Sequence, residues 1–261
     1  MSESGVRILQ VTDCHILPGE GGEVYGTDTY RSLEAVLRAA LALDQPPERI
    51  IATGDLSEDG SDASYARLRD LVLATGLPVN IVPGNHDSLE AMQRTLLCDA
   101  VSMDPVLDIE GWRIAFLNSQ VPGHAHGYLD DAELQLLTLA LDEAPARSVV
   151  TCLHHGPIRP CPSTGCHLHN DGTLLELLAA RPNARIVLAG HAHLELERRL
   201  GHTTFLTTPA SSSQASHAQE GERVDHEDFW ASHAFDANRH GLRMLTLKPG
   251  GGFETQVHWV A

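Results

Sequence analysis

Five short apolar stretches of this chain each end in residues that commonly bind metal ions. The stretches are rich in β-branched residues, which is typical of buried β-strands. They lead to Asp13 and His15, to Asp55, to Asn85, His86 and Asp87, to His154 and His155, and to His191 and His193. The carboxyl ends of neighbouring parallel strands face one crevice, so these side chains are predicted to meet there. A single Asp-x-His carries little weight in a chain with 16 histidines, whereas five such strand ends predict one site.

Strands alternate with longer amphipathic helices up to residue 190, which is typical of βαβ units around a largely parallel sheet. The predicted strands are Val6–Val11, Arg49–Thr53, Val79–Val82, Trp112–Leu117, Ser148–Leu153 and Ala184–Ala189. The predicted helices are Tyr30–Leu43, Ser61–Ala74, Leu89–Leu97, Asp130–Leu141 and Gly172–Ala180. Two antiparallel pairs are predicted to follow, Glu197–Leu200 with Thr203–Thr207 and Leu242–Leu247 with Phe253–Trp259.

The 261 residues fit one α/β domain, 1–261, because no stretch resembles a flexible linker. Residues 211–238 are polar and lack a clear period. A segment of that length without secondary structure is usually functional, so we predict a lid or a homodimer contact. A surface loop without a function is the alternative.

The formal net charge of −17 argues against nucleic acid or an anionic membrane as a partner, because both carry negative charge. A small anionic substrate is still compatible, since bound cations would reverse the local field. No apolar run approaches the ~20 residues of a membrane helix. The first residues lack a secretory pattern, and the five cysteines are irregularly spaced. We therefore expect reduced thiols and a cytoplasmic location.

The candidate ligands are two aspartates, one asparagine and several histidines. This mixture suits manganese, iron or zinc, whereas an all-oxygen set would indicate magnesium or calcium. We expect two divalent ions, manganese or iron before zinc. Asp55 is the natural bridge, because one carboxylate can bind two cations at the ~3.5 to 4 Å spacing of two-metal sites.

The order and spacing of these residues resemble the signature of the calcineurin-like metallophosphoesterases. The matching segments are Asp13-x-His15, Gly54-Asp55, Gly84-Asn85-His86-Asp87, His154-His155 and Gly190-His191-x-His193. Within that superfamily the chain is similar to the bacterial cyclic-AMP phosphodiesterases. That likeness lies in residues 10–13, 52–56 and 117–120 and in Thr208-Pro209, and it covers nearly the whole chain.

The resemblance implies a four-layer α/β/β/α sandwich of two mixed sheets. It places Asp13, His15 and His193 on one metal ion and Asn85, His154 and His191 on the other, with Asp55 bridging. Asn85 and His86 would contact the substrate. His86 would touch the phosphate or protonate the leaving oxygen, and Asp87 would orient it. His126 lies in a segment similar to a substrate loop of the relatives and is a further candidate.

The predicted reaction is hydrolysis of 3′,5′-cyclic nucleotides, cyclic AMP in particular, to nucleoside 5′-monophosphates by a water that the two ions activate. Glycerophosphodiesters, other phosphodiesters or phosphomonoesters are alternative substrates of the same site. A non-catalytic metal protein is the alternative of another class, with a structural zinc site at Cys161, Cys166, His167 and His169. The tandem histidines leave His154 or His155 open as the ligand, and we favour His154.

Overall fold

The structure is a computed structural model that describes residues 5–159, 167–215 and 235–261. Its strands are β1 Val6–Val11, β2 Glu23–Val24, β3 Thr27–Asp28, β4 Arg49–Thr53, β5 Val79–Val82, β6 Val101–Ser102, β7 Val106–Ile109, β8 Trp112–Phe116, β9 Ser148–Cys152, β10 Ala184–Ala189, β11 Leu196–Leu200, β12 Thr203–Thr207, β13 Gln214–Ala215, β14 Phe235–Asp236, β15 His240–Leu247 and β16 Phe253–Val260. Its helices are α1 Thr29–Leu41, α2 Asp62–Leu73, α3 Leu89–Thr95, α4 Asp131–Asp142 and α5 Asp171–Ala179.

Two six-stranded mixed sheets form the centre of the protein. The first sheet has the order β16-β15-β1-β4-β5-β6, and the second has the order β11-β12-β10-β9-β8-β7. In each sheet the four strands that carry or neighbour the candidate ligands run parallel, and antiparallel strands complete the edges. The parallel strands therefore deliver their carboxyl ends to one side of the molecule.

Three apolar clusters define four layers. One cluster joins the two sheets, with Ile8 and Ile51 from the first sheet against Val150 and Ile186 from the second. A second cluster covers the outer face of the first sheet with α1, α2 and α3. The third cluster covers the outer face of the second sheet with α4 and α5. The predicted α/β/β/α sandwich is confirmed.

Polar side chains fix the starts of the helices where the sequence predicted them. Asp28, Ser61, Ser88 and Asp130 each accept a hydrogen bond from the backbone of the first turn of α1, α2, α3 and α4. The predicted helices agree with the observed ones to within two residues at each end. None of the helices in the described ranges is both long and apolar enough to cross a membrane.

The polar segment 211–238 begins as part of the protein interior. Residues 211–215 are buried, and β13 pairs with β14 in an antiparallel ladder. The prediction of a lid or dimer contact concerns mainly residues 216–234, which lie outside the described residues. The short strands β2, β3, β6 and β7 were not predicted, because two to four residues give too little periodicity to recognise.

Candidate metal centre

The predicted ligands converge on the side where the parallel strands end. Four groups of side chains have ligand atoms within 4.8 Å of one another: Asp13, His15 and His193; Asp13, Asp55 and His154; His15, Asp55 and His86; and His154, His155 and His191. Six of the seven predicted metal ligands are buried, and Asn85 is partly exposed. Asp13, His15, Asp55 and His154 each belong to two of these groups, so the four groups form one continuous cluster.

The backbone is strained where it carries these side chains. Seven non-glycine residues of the described ranges have positive φ, and five of them are candidate ligands: Asp13, His15, Asp55, His191 and His193, with φ between 48° and 70°. Left-handed backbone is unfavourable for side chains with a Cβ and concentrates at functional sites. This backbone conformation lets the chain turn sharply after a strand ends. The candidate ligands of different strands can therefore point towards one place.

Two glycines allow the strand ends to approach each other. A Cβ on Gly84 would collide with the backbone nitrogen and carboxylate of Asp55. A Cβ on Gly190 would overlap the hydroxyl of Thr12 and press against the carboxylate of Asp13. The absence of a side chain at these positions is therefore a requirement of the cluster.

Asp13, His15 and His193 form one side of the cluster. The Nε2 atoms of the two histidines lie 3.1 Å apart, and His193 Nε2 lies 3.5 Å from Asp13 Oδ1. His15 Nδ1 lies 2.6 Å from Glu58 Oε2, and His193 Nδ1 lies 2.8 Å from the carbonyl oxygen of Ser213. Oxygen partners behind metal-binding imidazoles orient the ring and leave the second nitrogen for the ion.

Asp55, Asn85 and His154 form the other side. His154 Nδ1 lies 2.7 Å from the carbonyl oxygen of Thr53, which places a proton on Nδ1. Its Nε2 lies 3.2 Å from both Asp55 Oδ2 and Asn85 Oδ1. Burial alone would lower the pKa of His154, but the charge of Asp55 and the hydrogen bond to it raise that pKa to about 9. A nitrogen between two oxygen acceptors requires a proton or a cation, and a divalent ion fits this requirement.

His191 and His155 complete the cluster behind His154. The backbone nitrogen of His191 donates to the carboxylate of Asp13 at 2.9 Å, which ties the last predicted strand end to the first. His155 Nδ1 pairs with the hydroxyl of Ser119 at 2.8 Å. Burial, reinforced by the neighbouring His191 and His154, lowers the pKa of His155 well below its usual value. Because His154 faces Asp55 and Asn85 directly, it fits the ligand position better than His155 does.

His86 is partly exposed, whereas its neighbour Asp87 is buried. His86 lies at the mouth with 36% of its side chain exposed, and its Nδ1 lies 3.1 Å from the carbonyl oxygen of Glu58. The Asp87 carboxylate was expected to orient that ring. It instead accepts hydrogen bonds from the backbone nitrogens of Leu56, Ser57 and Gly84 and from the hydroxyl of Tyr65. Asp87 therefore fixes the two ligand-bearing loops, because backbone donors satisfy a buried carboxylate better than an exposed ring.

A cavity of about 210 Å³ opens above the cluster. Its lining consists of His15, Tyr25, Asp55, Asn85, His86, Ala125, His191 and His193. His126, the further substrate candidate, stacks on His169 with ring centroids 3.8 Å apart, while its neighbour Ala125 lines the cavity. Cys161 and Cys166 of the alternative zinc site lie outside the described residues.

Sequence reasoning missed Glu58, Ser213 and Tyr25. Glu58 follows Asp55 by three residues, so its position near the strand end was the available signal. Ser213 contributes a backbone carbonyl, and Tyr25 arrives through a short hairpin remote from the parallel strands. Neither leaves a pattern that sequence spacing reveals.

Known proteins resemble this chain in sequence and in fold. A family model described as calcineurin-like phosphoesterase matches residues 6–195. The chain is 34% identical over 260 residues to the 3′,5′-cyclic adenosine monophosphate phosphodiesterase CpdA of Pseudomonas aeruginosa, covering 98% of this chain and 90% of that protein. It is 33% identical over 266 residues to CpdA of Escherichia coli, covering 99% and 91%. A dimetal phosphatase from Danio rerio shares the fold with a TM-score of 0.65 at 14% identity, over 97% of this chain and 98% of that one. The chain therefore belongs to the calcineurin-like phosphoesterase family.

Proposed function

We propose that the protein is a metal-dependent phosphodiesterase that hydrolyses 3′,5′-cyclic nucleotides, cyclic AMP in particular, to nucleoside 5′-monophosphates. The observation that carries the proposal is the buried convergence of imidazole nitrogens and carboxylate oxygens beneath an open cavity. Relatives that match almost the full length of the chain are named as cyclic-AMP phosphodiesterases. A small diester also suits a protein whose charge of −17 disfavours nucleic acid polymers.

In this proposal the cluster holds two divalent ions. One ion would be bound by Asp13, His15 and His193, and the other by Asn85, His154 and His191. Asp55 would bind both ions. Two bound divalent ions would neutralise the phosphate oxygens and lower the pKa of a water molecule toward neutrality. The nitrogen-rich donor set supports manganese, iron or zinc rather than magnesium.

His86 is the residue that we assign to the leaving group. Its backbone nitrogen donates to Asp55 Oδ1 at 2.9 Å, so the backbone that carries the ring is tied to the proposed bridging carboxylate. Nδ1 faces the carbonyl oxygen of Glu58 and keeps its proton there. A proton for the departing 3′ oxygen therefore comes from Nε2 of the imidazolium form, and the nitrogen facing Glu58 holds the ring in place during the transfer.

Cytoplasmic location belongs to the proposal as well. Cys14, Cys98 and Cys152 are free thiols, and two of them are buried. Free thiols in a chain of this size fit a reducing compartment.

The experiment is a substrate panel on chelator-treated protein reconstituted with manganese, iron or zinc. It compares cyclic AMP, cyclic GMP, a glycerophosphodiester and a nucleoside monophosphate. We expect the highest kcat/KM on a cyclic nucleotide and a nucleoside 5′-monophosphate as the product. A higher kcat/KM on the glycerophosphodiester or the monophosphate would assign the site to the alternative substrates.

Asp55→Asn tests the metal dependence of the same reaction. It keeps the volume and an acceptor for the His86 nitrogen but removes the charge that two cations would share. We expect turnover to fall at least about a thousandfold while the fold is kept. Asp142→Asn, on the outer helix α4, is the matched control and should behave as wild type. Activity of Asp55→Asn near that of the control would refute the bridging role.

A further inference from the structure

The hairpin of β2 and β3 presents an unusual residue to the cavity. Val24 pairs with Thr27, so Tyr25 and Gly26 form a two-residue turn, and their φ angles are 50° and 79°. Positive φ at both turn residues is the signature of a type I′ hairpin, which favours Asn or Asp followed by Gly. A tyrosine at the first position is unfavourable, and such strain in a folded protein points to a role for the side chain.

The Tyr25 ring lies at the mouth of the cavity. It shares the lining with His86 and Asn85, and 45% of the residue is exposed. Burial, together with the charges of Glu58 and Asp55, raises the pKa of its hydroxyl above the ordinary value, so the hydroxyl stays protonated at neutral pH. The ring is therefore an uncharged aromatic surface beside the candidate metal cluster.

Phe235 supports this ring from behind. The two rings are nearly parallel at 7°, with centroids 3.8 Å apart. Phe235 in turn contacts His193 edge-on, with centroids 5.9 Å apart. The hairpin is also tied to the segment after β14, because the Thr27 hydroxyl donates to the carbonyl oxygen of Ala237 at 3.3 Å. Tyr25 is thus held in a fixed position, so ligand binding costs less side-chain conformational entropy.

The cavity is too small to enclose a whole nucleotide, so the nucleobase is expected to lie at the mouth, beside Tyr25. About 210 Å³ is less than the roughly 300 to 1,000 Å³ of pockets that enclose a whole ligand of drug size. With the phosphate at the metal cluster, part of a nucleotide extends to the mouth. Aromatic rings bind bases by stacking there, and stacking accepts every base because each has a π-face.

We propose that Tyr25, backed by Phe235, is the platform on which the base of the substrate stacks. This inference rests on the proposed function and adds the means by which the site prefers a nucleotide to a diester without a base. It assigns no preference between adenine and guanine, since stacking distinguishes bases weakly.

Three variants test the platform. Tyr25→Asn removes the ring and supplies a residue that the turn conformation favours, so the hairpin is kept. Tyr25→Phe keeps the ring without the hydroxyl. Tyr128→Asn is the matched control, since Tyr128 is 50% exposed and does not line the cavity.

The substrates are cyclic AMP and a base-free 3′,5′-cyclic ribose phosphate, and binding of AMP is measured by calorimetry. Stacking of one base is worth about 1 to 3 kcal/mol, so Tyr25→Asn should raise KM for cyclic AMP and Kd for AMP at least about fivefold. KM for the base-free ester should stay within about twofold, and Tyr25→Phe and Tyr128→Asn should resemble wild type.

Equal changes for both esters, or no change for either, would overturn the platform. The proposed function is tested separately, by the activity of the wild-type protein alone. Wild type that hydrolyses the base-free ester but no cyclic nucleotide would refute both. Wild type active on cyclic AMP, with Tyr25→Asn unchanged in KM and Kd, would refute only the platform.

Discussion

The Nε2 atoms of His15 and His193 lie 3.1 Å apart in the protein interior. Oxygen atoms of Glu58 and Ser213 hold both rings from the opposite side. Two nitrogen lone pairs this close repel each other unless a proton or a cation shares the space. Burial opposes a charge on His15, but its hydrogen bond to Glu58 and the charge of Asp55 raise its pKa, whereas burial lowers that of His193. The pair is therefore arranged for one shared cation.

Metal binding should stabilise the fold. A cation that binds only the folded protein contributes about 2.7 kcal/mol at a concentration of 100 Kd, which corresponds to a rise in Tm of roughly 5 to 10 °C for a chain of this size. We expect that rise when manganese is added to chelator-treated protein, measured by differential scanning fluorimetry. Asp13→Asn should reduce the rise, whereas His258→Ala, on the edge strand β16 and outside the cavity lining, should leave it unchanged. An unchanged Tm with manganese, iron and zinc would contradict a metal centre.

His86→Ala should affect leaving groups unequally. General acid catalysis contributes about 10² to 10⁴ in rate, and a nitrophenolate leaves without a proton whereas the 3′ alkoxide of a nucleotide does not. We therefore expect kcat for cyclic AMP to fall at least about tenfold more than kcat for bis(nitrophenyl) phosphate. His258→Ala, on the edge strand β16 and outside the cavity lining, is the control. Equal losses on both substrates would assign His86 to phosphate binding instead of proton transfer.

The sequence predicted the features that depend on residues close together in the chain. The strands that end at Asp13, Asp55 and His191 have clear apolar runs, and the parallel topology then fixes where their carboxyl ends meet. The contacts of Glu58 and Ser213 with the histidines depend on loop conformations that arise only in the folded chain. Predictions from residue spacing therefore identified the side chains that converge in the candidate site, but missed several of the groups that orient them.

Asp87 should contribute chiefly to stability. Its carboxylate accepts from three backbone nitrogens on the loops that carry Asp55 and Asn85, and from the hydroxyl of Tyr65 in α2. Asp87→Ala leaves these buried donors without an acceptor, and we expect a loss of about 3 to 5 kcal/mol in the free energy of unfolding. Urea denaturation measures this loss in unfolding free energy. Tyr65→Phe removes one of these hydrogen bonds and also the one that the Ser88 backbone nitrogen donates to the Tyr65 hydroxyl at 2.8 Å, and it should cost about 1 to 3 kcal/mol. A stable Asp87→Ala variant that lost only activity would instead place Asp87 in the reaction.

Gly190→Ala should damage the centre through a single methyl group. The added Cβ would overlap the Thr12 hydroxyl, whose one hydrogen is shared between Asp13 Oδ2 at 2.8 Å and the carbonyl oxygen of Thr53 at 3.0 Å. Relief requires β10 to move away from β1, so the strand ends that carry His191 and Asp13 separate. We expect a loss of about 2 kcal/mol or more in unfolding free energy, together with weaker metal binding.

Gly172→Ala is the matched control for this change. Gly172 lies in helix α5, and a Cβ there meets no atom within 4 Å. The same added methyl should stabilise the protein by up to about 1 kcal/mol through helix propensity and leave metal affinity unchanged. Urea denaturation and manganese titration of both variants distinguish the cases. If Gly190→Ala bound manganese as tightly as Gly172→Ala, close approach of β1 and β10 would not be what holds Asp13 and His191 together.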